Sequence, residues 1–121
     1  MNRAMTELKA QADAVARRAV ELTCEAVPEY AASLDARGRR LCEEDAGFHL
    51  QALIGSVVAD DPQIFGDYAV WCAELLSRFG IAAENLAALF RSTEQAIAEL
   101  VPSAADEVKS HLETGERVLA R

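Results

Sequence analysis

The chain has few of the residues that interrupt helices and few aromatic side chains. Its 121 residues include six glycines and three prolines, and aromatic residues make up 6% of it. The apolar fraction is nevertheless 51%, which excludes intrinsic disorder, because disordered segments have low hydrophobicity. Much of that fraction is alanine, whose small side chain allows helices to approach closely. A domain built from packed helices is therefore expected.

Long apolar runs are also missing. No stretch approaches the ~20 residues that cross a bilayer as a helix, and the first residues lack the apolar segment of a signal peptide. The three cysteines, Cys24, Cys42 and Cys72, form no CxxC pair. Scattered thiols of this kind are typical of reduced, mostly buried cysteines in a cytosolic protein. We expect a cytoplasmic protein with no membrane-spanning segment.

Basic residues are in the minority. The formal net charge is −8, which argues against nucleic-acid binding, because phosphate contacts need a basic face. Between Leu41 and Ser77 there are acidic residues but no lysine or arginine, and Arg37, Arg39 and Arg40 directly precede this stretch. The acidic stretch is either a solvated face or a docking surface for a basic partner.

Helical periodicity and its interruptions predict an all-α fold, a single bundle of about five antiparallel helices over residues 1–121. Asp61 and Pro62 are typical of a helix start, and Gly80 of a helix end. Ser103 to Asp106 resembles a capping box for the last helix. The predicted helices cover about residues 3–27, 39–59, 62–80, 83–101 and 103–121, with a short helical segment at 28–34. The helical pattern of the last segment continues to Arg121 without a terminating signal. We therefore expect either a frayed tail or a chain that is the N-terminal part of a longer protein.

The apolar positions of these helices predict the core. We expect the following side chains to be largely buried: Leu50, Leu53, Ile54, Val57, Phe65, Trp71, Leu75, Leu86, Leu89, Phe90 and Ile97.

Few residues suggest catalysis. Asp45 and His49 are four residues apart, as are Glu107 and His111, so each pair shares a helix face. Two such pairs could supply four metal ligands, but di-iron bundles use a Glu-x-x-His spacing that neither pair has. We therefore expect no metal site and no catalytic residue. A metal-dependent helical enzyme using both histidines is kept as an alternative.

The most informative positions surround His49, which lies in the apolar segment 47–53. A short turn at Asp61 should bring the helix of Tyr68 and Trp71 antiparallel to the helix of His49. The histidine is then either a hydrogen-bonded residue at the core edge or a polar point in an apolar binding surface. The predicted ligand or partner surface consists of Asp45, His49, Phe65, Tyr68 and Trp71.

Three segments resemble a known family. They are the acidic–His–Leu stretch at 43–53, the D-P-x-x-F-x-D-Y-x-x-W pattern at 61–71, and the L-L-x-R-x-G-I helix end at 75–81. Together they resemble the helical domains that lie N-terminal to cobalamin-binding domains in bacterial regulators and corrinoid proteins. The similarity covers roughly residues 41–101. A weaker resemblance is to the globin-like, haem-free sensor domains of stressosome-type regulators.

The resemblance implies a helical cap over the upper face of a corrin, with Phe65, Tyr68 and Trp71 facing the ring and His49 nearby. The Asp-x-His-x-x-Gly motif that ligates cobalamin is missing, so cobalamin binding would require a partner or a further C-terminal domain.

The leading hypothesis is a non-enzymatic regulatory or sensor bundle. It would bind a hydrophobic or tetrapyrrole-like ligand, or a partner such as a cobalamin-binding domain, against the helix of Tyr68 and Trp71. The alternative is a ligand-free module for homo-oligomerisation or protein interaction.

Overall fold

Helices account for nearly all of the structure. The computed structural model describes residues 2–121, is 86% helical and has no strand in that range. The seven α-helices are α1 (Arg3–Ala10), α2 (Ala12–Ala26), α3 (Pro28–Ala32), α4 (Ala36–Val58), α5 (Pro62–Ser77), α6 (Ala83–Leu100) and α7 (Ala105–Leu119), and a 3₁₀ turn (Pro102–Ala104) precedes α7. The all-α prediction is confirmed. None of these helices is both long and apolar enough to cross a membrane.

The structure has more helices than the predicted five, because the first predicted helix is two helices. The chain departs from helical geometry at Gln11, where φ is −99° and ψ is 9°. The two pieces have different neighbours: α1 packs against α4 and the 3₁₀ turn, whereas α2 packs mainly against α6 and α4. The short α3 is the other additional helix, and it begins with Pro28 in its first turn.

Side-chain caps set several helix boundaries. Asp35 accepts a hydrogen bond from the Gly38 amide at 2.7 Å, so α4 begins three residues before its predicted start. Asp61 accepts from the Gln63 amide at 3.0 Å and Pro62 opens α5, as expected. Gly80, with φ of 76°, follows the end of α5 in the left-handed conformation that glycine adopts without strain.

The predicted capping box is wrong. Ser103 lies in the 3₁₀ turn, and its hydroxyl donates to the Glu7 carboxylate at 2.6 Å instead of capping α7. The contact joins the start of α7 to α1, so a tertiary partner has replaced the local one.

The buried core contains most of the predicted residues, but two predictions are wrong. Trp71 is 57% exposed and Leu75 is 37% exposed. The buried face of α5 passes through Phe65, Ala69 and Cys72, and α5 makes its main contact with α7, which turns Trp71 and Leu75 away from the core. Ile54 and Val57 are only partly buried. The remaining predicted core residues are buried: Leu50, Leu53, Phe65, Leu86, Leu89, Phe90 and Ile97.

A glycine permits the closest packing in the core. A Cβ atom added to Gly115 on α7 would lie 2.6 Å from Cε2 of Phe65 and 3.2 Å from Cε2 of Phe90. The two phenyl rings are themselves 4.9 Å apart between centroids. Both rings therefore need the space that the missing side chain leaves.

Replacing Gly115 with alanine should therefore destabilise the protein. Overpacking of a tight core site costs about 1–3 kcal/mol, which outweighs the ~1 kcal/mol that alanine gains over glycine within a helix. Gly47 and Gly55 on α4 are matched controls, because an added Cβ meets nothing within 4 Å at either position. Urea denaturation should show Gly115→Ala less stable than the parent and both controls slightly more stable. A stabilised Gly115→Ala variant would contradict the close approach.

Candidate binding groove

Several large apolar side chains of α4, α5 and the segment after α5 are exposed next to one another. Phe48 is 58% exposed, Trp71 57% and Phe79 74%. With Leu41, Leu75 and Ile81 they surround an open concavity of about 1000 Å³, here called the groove. Its lining also includes Asp45, His49, Tyr68, Cys42, Cys72 and Leu76. Apolar clusters of this kind on a protein surface typically mark binding sites for ligands or partners.

A second concavity adjoins the groove. It has a volume of about 470 Å³ and extends toward Val27 and Tyr30 on one side and Leu86 and Leu89 on the other. Both concavities share the same junction residues: Leu34, Cys42, Asp45, His49, Leu76 and Ile81. The two polar side chains that the sequence singled out on α4, Asp45 and His49, thus lie where the two spaces meet.

His49 and Tyr68 join the two helices at the floor of the groove. Nδ1 of His49 lies 2.6 Å from the Tyr68 hydroxyl oxygen. Two turns further along α4, the Ser56 hydroxyl donates to the Asp61 carbonyl at 2.7 Å. From His49 to Ser56 the chain advances along α4, while the partner residue moves back from Tyr68 to Asp61. The two helices therefore run antiparallel. His49 and Tyr68 therefore lie at the same depth.

The second ring nitrogen of His49 has no described partner. The His49 side chain is only 4% exposed, yet no buried side-chain nitrogen or oxygen among residues 2–121 lacks a hydrogen-bond partner. Since Nδ1 is bonded to Tyr68 and Nε2 is not bonded to any described side chain, Nε2 must remain accessible. The residue lines both concavities, so Nε2 offers a polar point at their junction.

Burial determines the charge of this histidine. Desolvation lowers the pKa of His49 from 6.5 to about 4, so the ring is neutral at pH 7. A neutral imidazole has one protonated nitrogen and one that accepts a hydrogen bond. Burial also raises the pKa of Tyr68, and the nearby Cys72 raises it further.

Asp45 is the one charged residue that lines the groove. Burial is the main reason why the pKa values of Tyr30, Cys42, Tyr68 and Cys72 are raised, and the Asp45 carboxylate adds a smaller contribution in the same direction. Burial, and then the neighbouring Glu44, raise the pKa of Asp45 itself. Asp45 is exposed at the edge of both concavities. No salt bridge to it is found within residues 2–121, so its carboxylate has no compensating cation.

Aromatic packing holds the floor in place. The His49 ring meets Tyr68 and Phe90 edge-on, each at 5.6 Å between centroids. Phe65 stacks on Tyr68 at 5.8 Å. The rings that pack against Gly115 are thus the same rings that orient His49 and Tyr68.

A serine–histidine contact also lies in the core, between α4 and α7. Ser56 Oγ lies 2.7 Å from Nδ1 of His111, but Ser56 is fully buried and its hydroxyl proton is directed at the Asp61 carbonyl. Burial raises the pKa of Cys42 and of Cys72, whereas nucleophilic cysteines have a lowered pKa. The Ser56–His111 contact connects α4 to α7 inside the core.

The structure brings together four of the five predicted surface residues. Asp45, His49, Tyr68 and Trp71 line the groove, whereas Phe65 is fully buried beneath it and supports Tyr68. Sequence reasoning missed several wall residues: Leu41, Phe48, Leu75, Phe79 and Ile81. A signal for them existed, because Leu41 and Phe48 fall outside the helical stripe of Ala46, Leu50 and Leu53 that α4 buries.

The two histidines belong to separate networks. His49 is bonded to Tyr68, and His111 is bonded to Ser56, which lies two helical turns, or roughly 10 Å, beyond His49 along α4. Across residues 2–121 there is no group of three or more histidine, cysteine or acidic side chains arranged to hold a metal ion.

Comparison with known proteins adds no identification. No protein-family model matches the chain, and no curated protein is significantly similar to it.

The lowered pKa of His49 predicts a pH dependence of stability. Between pH 6.5 and about 4 the unfolded chain binds a proton that the folded His49 does not, so stability must fall as the pH falls through this window. The full contribution corresponds to about 3 kcal/mol. Urea denaturation at several pH values should show that His49→Gln loses this part of the pH dependence. Tyr68→Phe, which retains the titrating ring, should be less stable at every pH but keep the dependence. Parallel pH profiles for the parent and His49→Gln would contradict the assignment.

Proposed function

We propose that the protein is a non-enzymatic regulatory or sensor module whose groove binds a hydrophobic or tetrapyrrole-like ligand, either free or presented by a cobalamin-binding partner domain. The single observation that carries this proposal is the joint exposure of Phe48, Trp71 and Phe79 around a concavity of about 1000 Å³. Exposing such side chains to water is unfavourable, at roughly 25 cal/mol per Å² of apolar surface. A bound ligand or partner would remove that cost.

The apolar lining of the groove would suit an apolar ring. Phe48 and Trp71 project from neighbouring helices, and Phe79 and Ile81 lie at one end, where α5 stops. These side chains would cover one face of a corrin and exclude water from it. This arrangement agrees with the sequence resemblance to domains that cap cobalamin. The cobalt–carbon chemistry would belong to the cofactor, and the residues of this chain would shield it.

Two features support a non-enzymatic role. The buried Ser56–His111 pair is inaccessible to a substrate, and burial raises the pKa of the two groove cysteines. Three free thiols are consistent with the cytoplasm, where thiols stay reduced, and we propose that the module acts there.

Self-association is the second candidate, because the same apolar side chains could be covered by another copy of the chain. The groove favours an external ligand, since it has a polar floor formed by His49 and Tyr68. A contact between identical apolar faces needs no such group.

Trp71 is the only tryptophan and lies in the groove wall, so its fluorescence reports directly on occupancy. We expect its emission to change, after correction for absorbance, on titration with an apolar dye such as Nile red or with free cobalamin. Phe48→Ser should weaken binding by at least about tenfold, because it removes an aromatic contact worth more than ~1.4 kcal/mol.

Leu100→Ser is the matched control, because Leu100 is also exposed, at 44%, but lies outside the groove. It should bind like the parent. Light scattering separates the two candidates. A stable dimer that Phe48→Ser dissociates, with no response to dye or cobalamin, would favour self-association and contradict the ligand proposal.

A further inference from the structure

The charge distribution around the groove indicates which ligands it prefers. Asp45 is the one charged residue among the described side chains that line the groove, and the adjoining cavity adds only Glu29. No lysine or arginine lines either space. Arg37 and Arg39 flank Gly38 at one end of the groove, and Arg39 faces Glu43 at 3.9 Å. The interior of the site is therefore negative, although it is mostly apolar.

A second observation points to the same location. His49 is more than nine-tenths buried, its Nδ1 is bonded to Tyr68, and its accessible Nε2 has no described partner. A neutral imidazole can accept a hydrogen bond there when its proton is on Nδ1. The Nδ1–H group then donates to the Tyr68 oxygen. A donor from a ligand would then give the accessible Nε2 a hydrogen-bond partner.

We propose that the preferred occupant of the groove is a small molecule with an apolar body and one cationic hydrogen-bond donor, such as a primary amine. The donor lies at the junction of the two concavities, between the Asp45 carboxylate and Nε2 of His49. The apolar body extends along Phe48, Trp71 and Leu75. This inference rests on the proposed function of the groove and specifies the chemistry of its ligand.

A carboxylate or phosphate placed at this junction is disfavoured for the same reason, whereas anionic groups that a larger ligand keeps outside the groove are not affected. Placing an anion beside Asp45 would bring two like charges together with no cation in the lining to offset them, and the bound ligand would displace the water that screens their repulsion. Asp45 already carries a raised pKa because of burial and the neighbouring Glu44. A cation would relieve this unfavourable state, whereas an anion would make it worse.

A matched series of ligands tests the proposal. Decylamine, decanol and decanoate have similar apolar chains and differ in the charge of the head group. At pH 7 the two ions can be used below their micelle-forming concentrations and decanol below its solubility limit. Binding is followed by Trp71 fluorescence and calorimetry in 0.15 M salt, which screens distant charges. We expect decylamine to bind about tenfold more tightly than decanoate, the factor that ~1.4 kcal/mol of electrostatic preference gives.

Two charge-removing variants distinguish a local effect from the net charge of −8. Asp45→Asn should reduce the preference for the amine to within about threefold, since it removes the local carboxylate and keeps its shape. Glu74→Gln removes an acidic residue of α5 that does not line the groove, and it should leave the preference intact. An equal loss in both variants, or an unchanged preference in Asp45→Asn, would overturn the proposal.

The histidine can be observed separately. In long-range ¹H–¹⁵N spectra of the decylamine complex, we expect Nε2 of His49 to be the unprotonated nitrogen, and a protonated Nε2 would refute its role as acceptor.

The ligand series also distinguishes failure of the proposed function from failure of the amine preference. If none of the three ligands binds, the groove is not a ligand site, whereas equal or tighter binding of decanoate defeats only the amine preference.

Discussion

The contact of Gly115 with the rings of Phe65 and Phe90 determines how the rest of the groove is arranged. It brings α7 close to α5 and fixes the two phenyl rings 4.9 Å apart. Phe65 then stacks on Tyr68, and Phe90 meets the edge of His49. The polar pair on the floor is therefore held by the hydrophobic core. A rigid floor of this kind costs a ligand little ordering entropy on binding.

One face of α5 is buried in the core, and the other lines the groove. Phe65, Ala69 and Cys72 are buried and give α5 its place in the core. Trp71 and Leu75 lie outside that stripe and enter the groove wall. The same division holds for α4, where Leu50 and Leu53 are buried and Phe48 is exposed. Substitutions in the wall should therefore affect binding more than folding.

Much of this architecture follows from local sequence signals. The Asp61–Pro62 start of α5 and the glycine after its end were predictable because caps and prolines act within one turn. The break at Gln11 and the diversion of Ser103 to Glu7 were not, since each depends on contacts with helices distant in sequence. For the site, i,i+4 spacing identified the Asp45–His49 face, and the short turn predicted the meeting of His49 with Tyr68. Trp71 was assigned to the core because helical periodicity identifies apolar positions without showing which of them a neighbouring helix covers.

The central claim is that the face formed by α4 and α5 binds a ligand. Backbone ¹H–¹⁵N spectra recorded during a decylamine titration test it most directly, because every amide reports its own location. The structure predicts shifts concentrated in residues 41–52 and 68–81, with little change on the remote faces of α2 and α7. Shifts spread evenly over the molecule, or confined to a region outside these two segments, would contradict the assignment of the groove as the binding site.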